Sequence, residues 1–152
     1  MDEQSWNDKK KEKRRLKNAM ISPLFYSENC KIIKKKFNDE SITSIYYPSL
    51  LVRLKQIEIG NRCFKNVREF VIDGLPSLES VKIGKNCFRI DYEERNDGVC
   101  RITNCPNLRQ LEIGDESFKD FKSFELSNLN SLQSIKFGWY CFKYANFSLK
   151  GE

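Results

Sequence analysis

The chain has 152 residues, with 27 Lys/Arg against 21 Asp/Glu, no histidine and a formal net charge of +6. Lacking histidine, it has neither the usual proton carrier near neutral pH nor the commonest metal ligand, and no run of about 18 apolar residues offers a membrane span. The positive excess sits mostly at the start: residues 1–40 hold 11 Lys/Arg and 7 Asp/Glu, and the remainder is close to neutral.

Residues 1–40 read as a basic leader that ends in a possible N-terminal cap. Met1-Asp2-Glu3-Gln4-Ser5 runs into a Lys/Arg tract with no apolar core behind it, so it is not a secretory signal. An intracellular, cytoplasmic location follows as the expectation, and with it six reduced cysteines. Lys9, Lys10, Lys11, Lys13, Arg14 and Arg15 form a short basic run. Such a run can act in nuclear import or on phosphates; the reading preferred here is a solvated, self-repelling tail. Ile21, Leu24, Phe25, Ile32, Ile33 and Phe37 supply apolar residues for covering the first repeat.

From about residue 41 the chain repeats itself. One phrase is written four times: Leu54–Phe64, Leu78–Phe88, Leu108–Phe118 and Leu132–Phe142, as L-x-x-φ-x-φ-G-x-x-[CS]-F with φ aliphatic or aromatic. Its glycines, Gly60, Gly84, Gly114 and Gly138, are spaced by 24, 30 and 24 residues. Within each unit, alternating apolar and polar residues predict two short strands. The first strand is of the type Leu54-x-x-Ile57-x-Ile59. The second is Phe70-x-Ile72, Cys100-x-Ile102, Phe124-x-Leu126 or Phe147-x-Leu149, and Ile45-Tyr46-Tyr47 is an imperfect forerunner. Asp73-Gly74, Thr103-Asn104 and Ser127-Asn128 supply turns. Stacking on a fixed period predicts a mainly β repeat solenoid with parallel strands and little helix outside the leader. At about 1.5–3 kcal/mol per buried apolar side chain, set against the entropy of ordering, one unit alone is marginal.

Cys63, Cys87 and Cys141 share one repeat slot, which Ser117 fills in the third copy. That slot reads as a demand for a small side chain. Cys100 stands where other units have Phe70, Phe124 and Phe147, and Cys105 where they have Leu75 and Leu129. These are core positions, where a free cysteine behaves as a small hydrophobe. No spacing matches a metal site, and no phosphate-binding or dinucleotide fingerprint occurs, so neither cofactor nor metal is expected.

The 30-residue unit carries six extra, mostly charged residues between Phe88 and Cys100, read as an exposed loop from Arg89 to Asp97. After Leu149 no polar capping repeat follows, so the array 41–152 is expected to be uncapped and to self-associate end to end through its last unit.

The spacing L-x-x-φ-x-φ-x-x-x-x-F in all four copies resembles a leucine-rich repeat. The Ile-Gly-x-x-[Cys/Ser]-Phe variant, as at Ile59–Phe64, is similar to the divergent repeats of large protist protein families and to BspA-like surface proteins. The resemblance covers about residues 42–150. The asparagine of the usual repeat is absent, with Cys or Ser near its slot, so the usual asparagine ladder is not expected there. What the resemblance implies is recognition of a protein partner.

Period-two alternation turns two positions of each first strand outward. One column reads Gln56, Ser80, Gln110, Ser134, and the other Glu58, Lys82, Glu112, Lys136. The second column reads first as an intramolecular charge ladder and second as a recognition face. Trp139 and Tyr140 occupy turn positions that hold Asn61-Arg62, Lys85-Asn86 and Asp115-Glu116 elsewhere. They read either as cover for the last unit or as an interface anchor. Gln56, Glu58, Lys82, Glu112, Lys136, Trp139 and Tyr140 are therefore the candidate partner-binding residues, on a non-enzymatic interaction module. Two rivals are a truncated, non-functional member of a repeat family and a nucleic-acid-associated protein using the leader. Near-neutral charge over the array speaks against nucleic acid.

Overall fold

In a computed structural model the described residues are the strands 31–34 and 44–47, as backbone, together with 52–90 and 98–151. They form strands and turns, with no helix among them. Numbered along the chain, the strands are β1 Lys31–Lys34, β2 Ser44–Tyr47, β3 Gln56–Ile59, β4 Glu69–Asp73, β5 Ser80–Ile83, β6 Gly98–Thr103, β7 Gln110–Ile113, β8 Phe121–Ser127, β9 Ser134–Phe137 and β10 Asn146–Lys150. The chain alternates between two open five-stranded sheets, one ordered β1-β3-β5-β7-β9 and the other β10-β8-β6-β4-β2. All neighbours are parallel. β1 lies within residues 1–40, the segment assigned to leader and cap, and is the outer strand of the odd-numbered sheet. The rest of that leader, including its basic run, lies outside the described residues.

The core lies between the sheets. Ile57, Ile59, Val81, Ile83, Leu111 and Ile113 reach it from the odd-numbered sheet, and Phe70, Ile72, Cys100, Ile102, Phe124 and Leu126 from the even-numbered one. Down its middle runs a column of rings. Phe64 stacks on Phe88 at 5.2 Å between centroids, Phe88 on Phe118 at 4.4 Å, and Phe118 on Phe142 at 4.9 Å. All four phenylalanines have left-handed backbone, with φ of 60°, 55°, 55° and 50° in chain order. A bulky residue there costs on the order of 1–2 kcal/mol, but burying an aromatic ring returns about 1.5–3 kcal/mol and offsets it. Glycine would relieve the strain and forfeit the ring, so the turn keeps phenylalanine.

The repeat glycines answer a different need. A Cβ on Gly84 would lie 2.8 Å from Gly60 C, and one on Gly114 would lie 2.7 Å from Gly84 C. Consecutive turns pass too close for any side chain at that position.

The long unit corrects the expectation for its insertion. Arg89 and Ile90 are not part of an exposed loop. Ile90 is buried in the core, and Arg89 pairs with Glu116 at 2.9 Å and with Asp120 at 3.9 Å. At the other end Gly98 starts β6, where an added Cβ would lie 2.6 Å from the Phe121 ring and 2.7 Å from Ile90 Cδ1. Residues 91–97, with Glu93 and Glu94, lie outside the described residues.

Candidate interaction surface

The register places the outward columns as the alternation predicts. Gln56 pairs with Ser80, Ser80 with Gln110 and Gln110 with Ser134; Glu58 pairs with Lys82, Lys82 with Glu112 and Glu112 with Lys136. Lys82, Glu112 and Lys136 are exposed and Glu58 is half-buried. Alternating charge does not, however, close into a ladder. Among the described residues, neither Lys82 with Glu112 nor Glu112 with Lys136 forms an ion pair. An exposed pair gains about 0–1 kcal/mol and must hold a long lysine chain in one conformation, so hydration competes on equal terms.

Ion pairs form instead where the geometry is shorter or shared. Arg101 Nε meets Glu125 Oε2 at 3.0 Å across β6 and β8. In the register column Val71-Arg101-Glu125-Ser148, Val71 is buried and Arg101 and Glu125 form the ion pair. A second network lines the turns after the odd-numbered strands. Lys85 N donates to Asn61 Oδ1 at 2.8 Å, Lys85 Nζ pairs with Asp115 Oδ2 at 3.4 Å, and Trp139 N donates to Asp115 Oδ1 at 2.8 Å. The Trp139 amide, aided by Lys85, holds the Asp115 carboxyl below the usual carboxylate range.

The Cys/Ser slot has a chemical requirement as well as a steric one. Cys87 Sγ donates to Gly60 O at 3.0 Å, Ser117 Oγ to Gly84 O at 2.6 Å, and Cys141 Sγ to Gly114 O at 2.8 Å. The second, third and fourth copies thus each satisfy a glycine carbonyl of the copy before with a small donor. A second device escaped the sequence reading. Gly74, Asn104 and Asn128 share one left-handed turn position. Asn128 Nδ2 donates to Asn104 Oδ1 at 2.8 Å, and Asn104 Nδ2 to Asp73 Oδ1 at 2.9 Å. The asparagine ladder missing from the first turn is built, in short form, at the second. Its signal was the recurrence of Gly or Asn one residue beyond β4, β6, β8 and β10.

No family model, curated protein or solved structure matches this chain. The surface therefore has to be read from its own chemistry.

Trp139 is 78% exposed and Tyr140 54% exposed, on the turn that follows β9. Both side chains are largely open to solvent. Lys119 Nζ and Lys143 Nζ lie 5.7 Å and 5.1 Å from the Tyr140 ring centre, and Lys143 also lies 5.3 Å from that of Tyr144. The structure thus brings two lysines to Tyr140 and leaves the charged columns on the strands. The thiols offer little reactivity. The hydrogen bond with Cys63, then burial, pushes the Cys87 thiol up; burial does the same for Cys100, Cys105 and Cys141. A protonated thiol is a poor nucleophile. Cys63, Cys87, Cys100, Cys105 and Cys141 are free, and Cys30 lies outside the described residues. Among the described residues no group of three His, Cys, Asp or Glu could hold a metal ion, and no helix is long and apolar enough to cross a membrane.

Proposed function

We propose that the chain is a leucine-rich-repeat-like solenoid and works as a non-enzymatic protein-interaction module inside the cell. The observation that carries this reading is the outward column Lys82, Glu112, Lys136, whose charges are held one strand apart by parallel register yet form no ion pairs with one another. Strand spacing fixes them about 4.8 Å apart. Charges displayed on a rigid sheet lose little ordering entropy when a partner of complementary pattern docks. Gln56 and Glu58 extend the same face, and Trp139 and Tyr140 supply aromatic anchors beside it.

The test is affinity capture from cell extract with the wild type and with Lys82→Glu/Glu112→Lys, at matched melting temperature. A partner retained by the wild type and lost by the charge-reversed protein supports the sheet face. Identical capture by both proteins refutes it.

A further inference from the structure

The outward column on the odd-numbered sheet restricts what can dock on it. Lys82, Glu112 and Lys136 stand in register on β5, β7 and β9, and all three are exposed. Their signs alternate. A polymer of one sign, such as nucleic acid, would bring its phosphates against Glu112 in the middle of the column. The outward positions beside them, Ser80, Gln110 and Ser134, are polar as well. This face therefore offers nothing to an apolar stripe, and its complement is a segment with charges of alternating sign.

Spacing selects the backbone that carries those charges. Neighbouring strands lie about 4.8 Å apart, so the column spans about 9.6 Å from Lys82 to Lys136. An α-helix laid across the strands presents residues i, i+4 and i+7 on one side within a rise of about 10.5 Å, which matches the column to about 1 Å. An extended segment crossing in the same way presents one side every 6.8 Å or so and needs about 13.6 Å for three charges. A polyproline II segment repeats at about 9.3 Å and passes over the middle charge. A second sheet, that of another copy included, has the matching spacing. Closing it on this one would take the row of serine and glutamine out of water with no apolar area to offset the loss. A helix covers a narrower strip and leaves part of that row wet.

We infer that the partner segment seated on Lys82, Glu112 and Lys136 is a solvated α-helix carrying acid, base and acid at i, i+4 and i+7. The inference rests on the proposed sheet face and names what that face recognises. A shift of the helix by one unit sets like charge against like at both remaining positions. The contact therefore fixes register and orientation more than it supplies affinity.

NMR titration at low ionic strength tests it with three synthetic peptides. One is an alanine-rich helix with Glu, Lys and Glu at i, i+4 and i+7. The second is its isomer with Glu, Glu and Lys at the same positions. The third is an extended peptide with Glu, Lys and Glu at alternate positions. The first should shift the amide signals of Lys82, Glu112 and Lys136 and bind at least about tenfold tighter than the other two, equivalent to roughly 1.4 kcal/mol. Lys82→Glu/Glu112→Lys should transfer the preference to the isomer, because its column then reads acid, base, base and a helix can lie in either direction. No binding, equal binding of helix and isomer, or tighter binding of the extended peptide would each overturn the inference. So would a wild-type mass that rises with concentration only while these charges are in place, which would assign the face to a second copy. Charge-dependent capture from cell extract, combined with equal binding of helix and isomer, removes the helix and leaves the sheet face standing. Identical capture by both proteins removes the face, and the helix with it.

Discussion

Ser117 Oγ sits 2.6 Å from Gly84 O and 3.0 Å from Cys87 N, so one hydroxyl ties the third repeat to two backbone groups of the second. The side chain is fully buried, and so is its bond with Cys87 N. Ser117→Ala should therefore cost about 1–3 kcal/mol, the usual penalty for a buried polar group left unpaired. Ser117→Cys should cost less than Ser117→Ala, because cysteine serves this slot at positions 87 and 141. Urea denaturation of both variants checks the order, and equal losses would mean that only size matters at this position.

Phe88 is fully buried between Phe64 and Phe118 and also meets Phe70 edge-on at 4.8 Å. Phe88→Ala should destabilise the protein by about 3–5 kcal/mol. A measured loss below about 1 kcal/mol would remove the ring column from the core.

The aromatic column and the alternation of the odd-numbered strands were legible in the sequence because burial of one face imposes period two on the residues themselves. The outward positions Gln56, Glu58, Lys82, Glu112 and Lys136 followed from the same rule. What the charges do with one another was not legible. Whether Lys82 reaches Glu112 depends on rotamers and hydration, which a column of letters does not encode. The Cys/Ser slot was half legible: its size could be read, but the glycine carbonyl it serves lies 27 or 33 residues away. Ile90 was misread as loop because in this unit the core slot filled by Val67 and Phe121 elsewhere comes one residue early.

The charge geometry predicts two different coupling energies. A double-mutant cycle on Arg101 and Glu125, paired at 3.0 Å with side chains partly exposed, should return a coupling of about 0.2–1 kcal/mol. The corresponding cycle on Lys82 and Glu112 should return about zero within the usual error of roughly 0.3 kcal/mol. A larger value for the second pair would restore the charge ladder and weaken the free recognition face.

Acid should act on the turn network through Asp115. Its carboxyl is held below its ordinary value by the Trp139 amide, so the folded pKa is the lower one. Such a group contributes stability in full above its unfolded pKa of about 3.9 and loses it as pH falls through the folded value. Asp115→Asn removes the titrating group, so the melting-temperature gap between wild type and variant should narrow below about pH 4. A gap that stays constant to pH 2 would show that Asp115 does not feel the amide.

Thiol chemistry should follow burial. Among the described cysteines, Cys63, Cys87, Cys100 and Cys105 are buried, while Cys141 is partly exposed. Iodoacetamide under native conditions should modify Cys141 first among these five, and denatured protein should titrate six thiols. Prior labelling of Cys100, whose thiol is raised by burial alone, would contradict the packing of β6.

Ile90 and Gly98 make the long unit a natural splice point. Their backbones are pinned by the core at one end and by the Phe121 ring at the other, close enough that a single added methyl on Gly98 would strike Ile90. The stretch between them starts and finishes at nearly the same spot, so lengthening it costs only slowly growing loop-closure entropy. Foreign peptides grafted between these two residues would leave the strand pairing on either side undisturbed, which offers protein engineers an epitope-display site in the middle of the array.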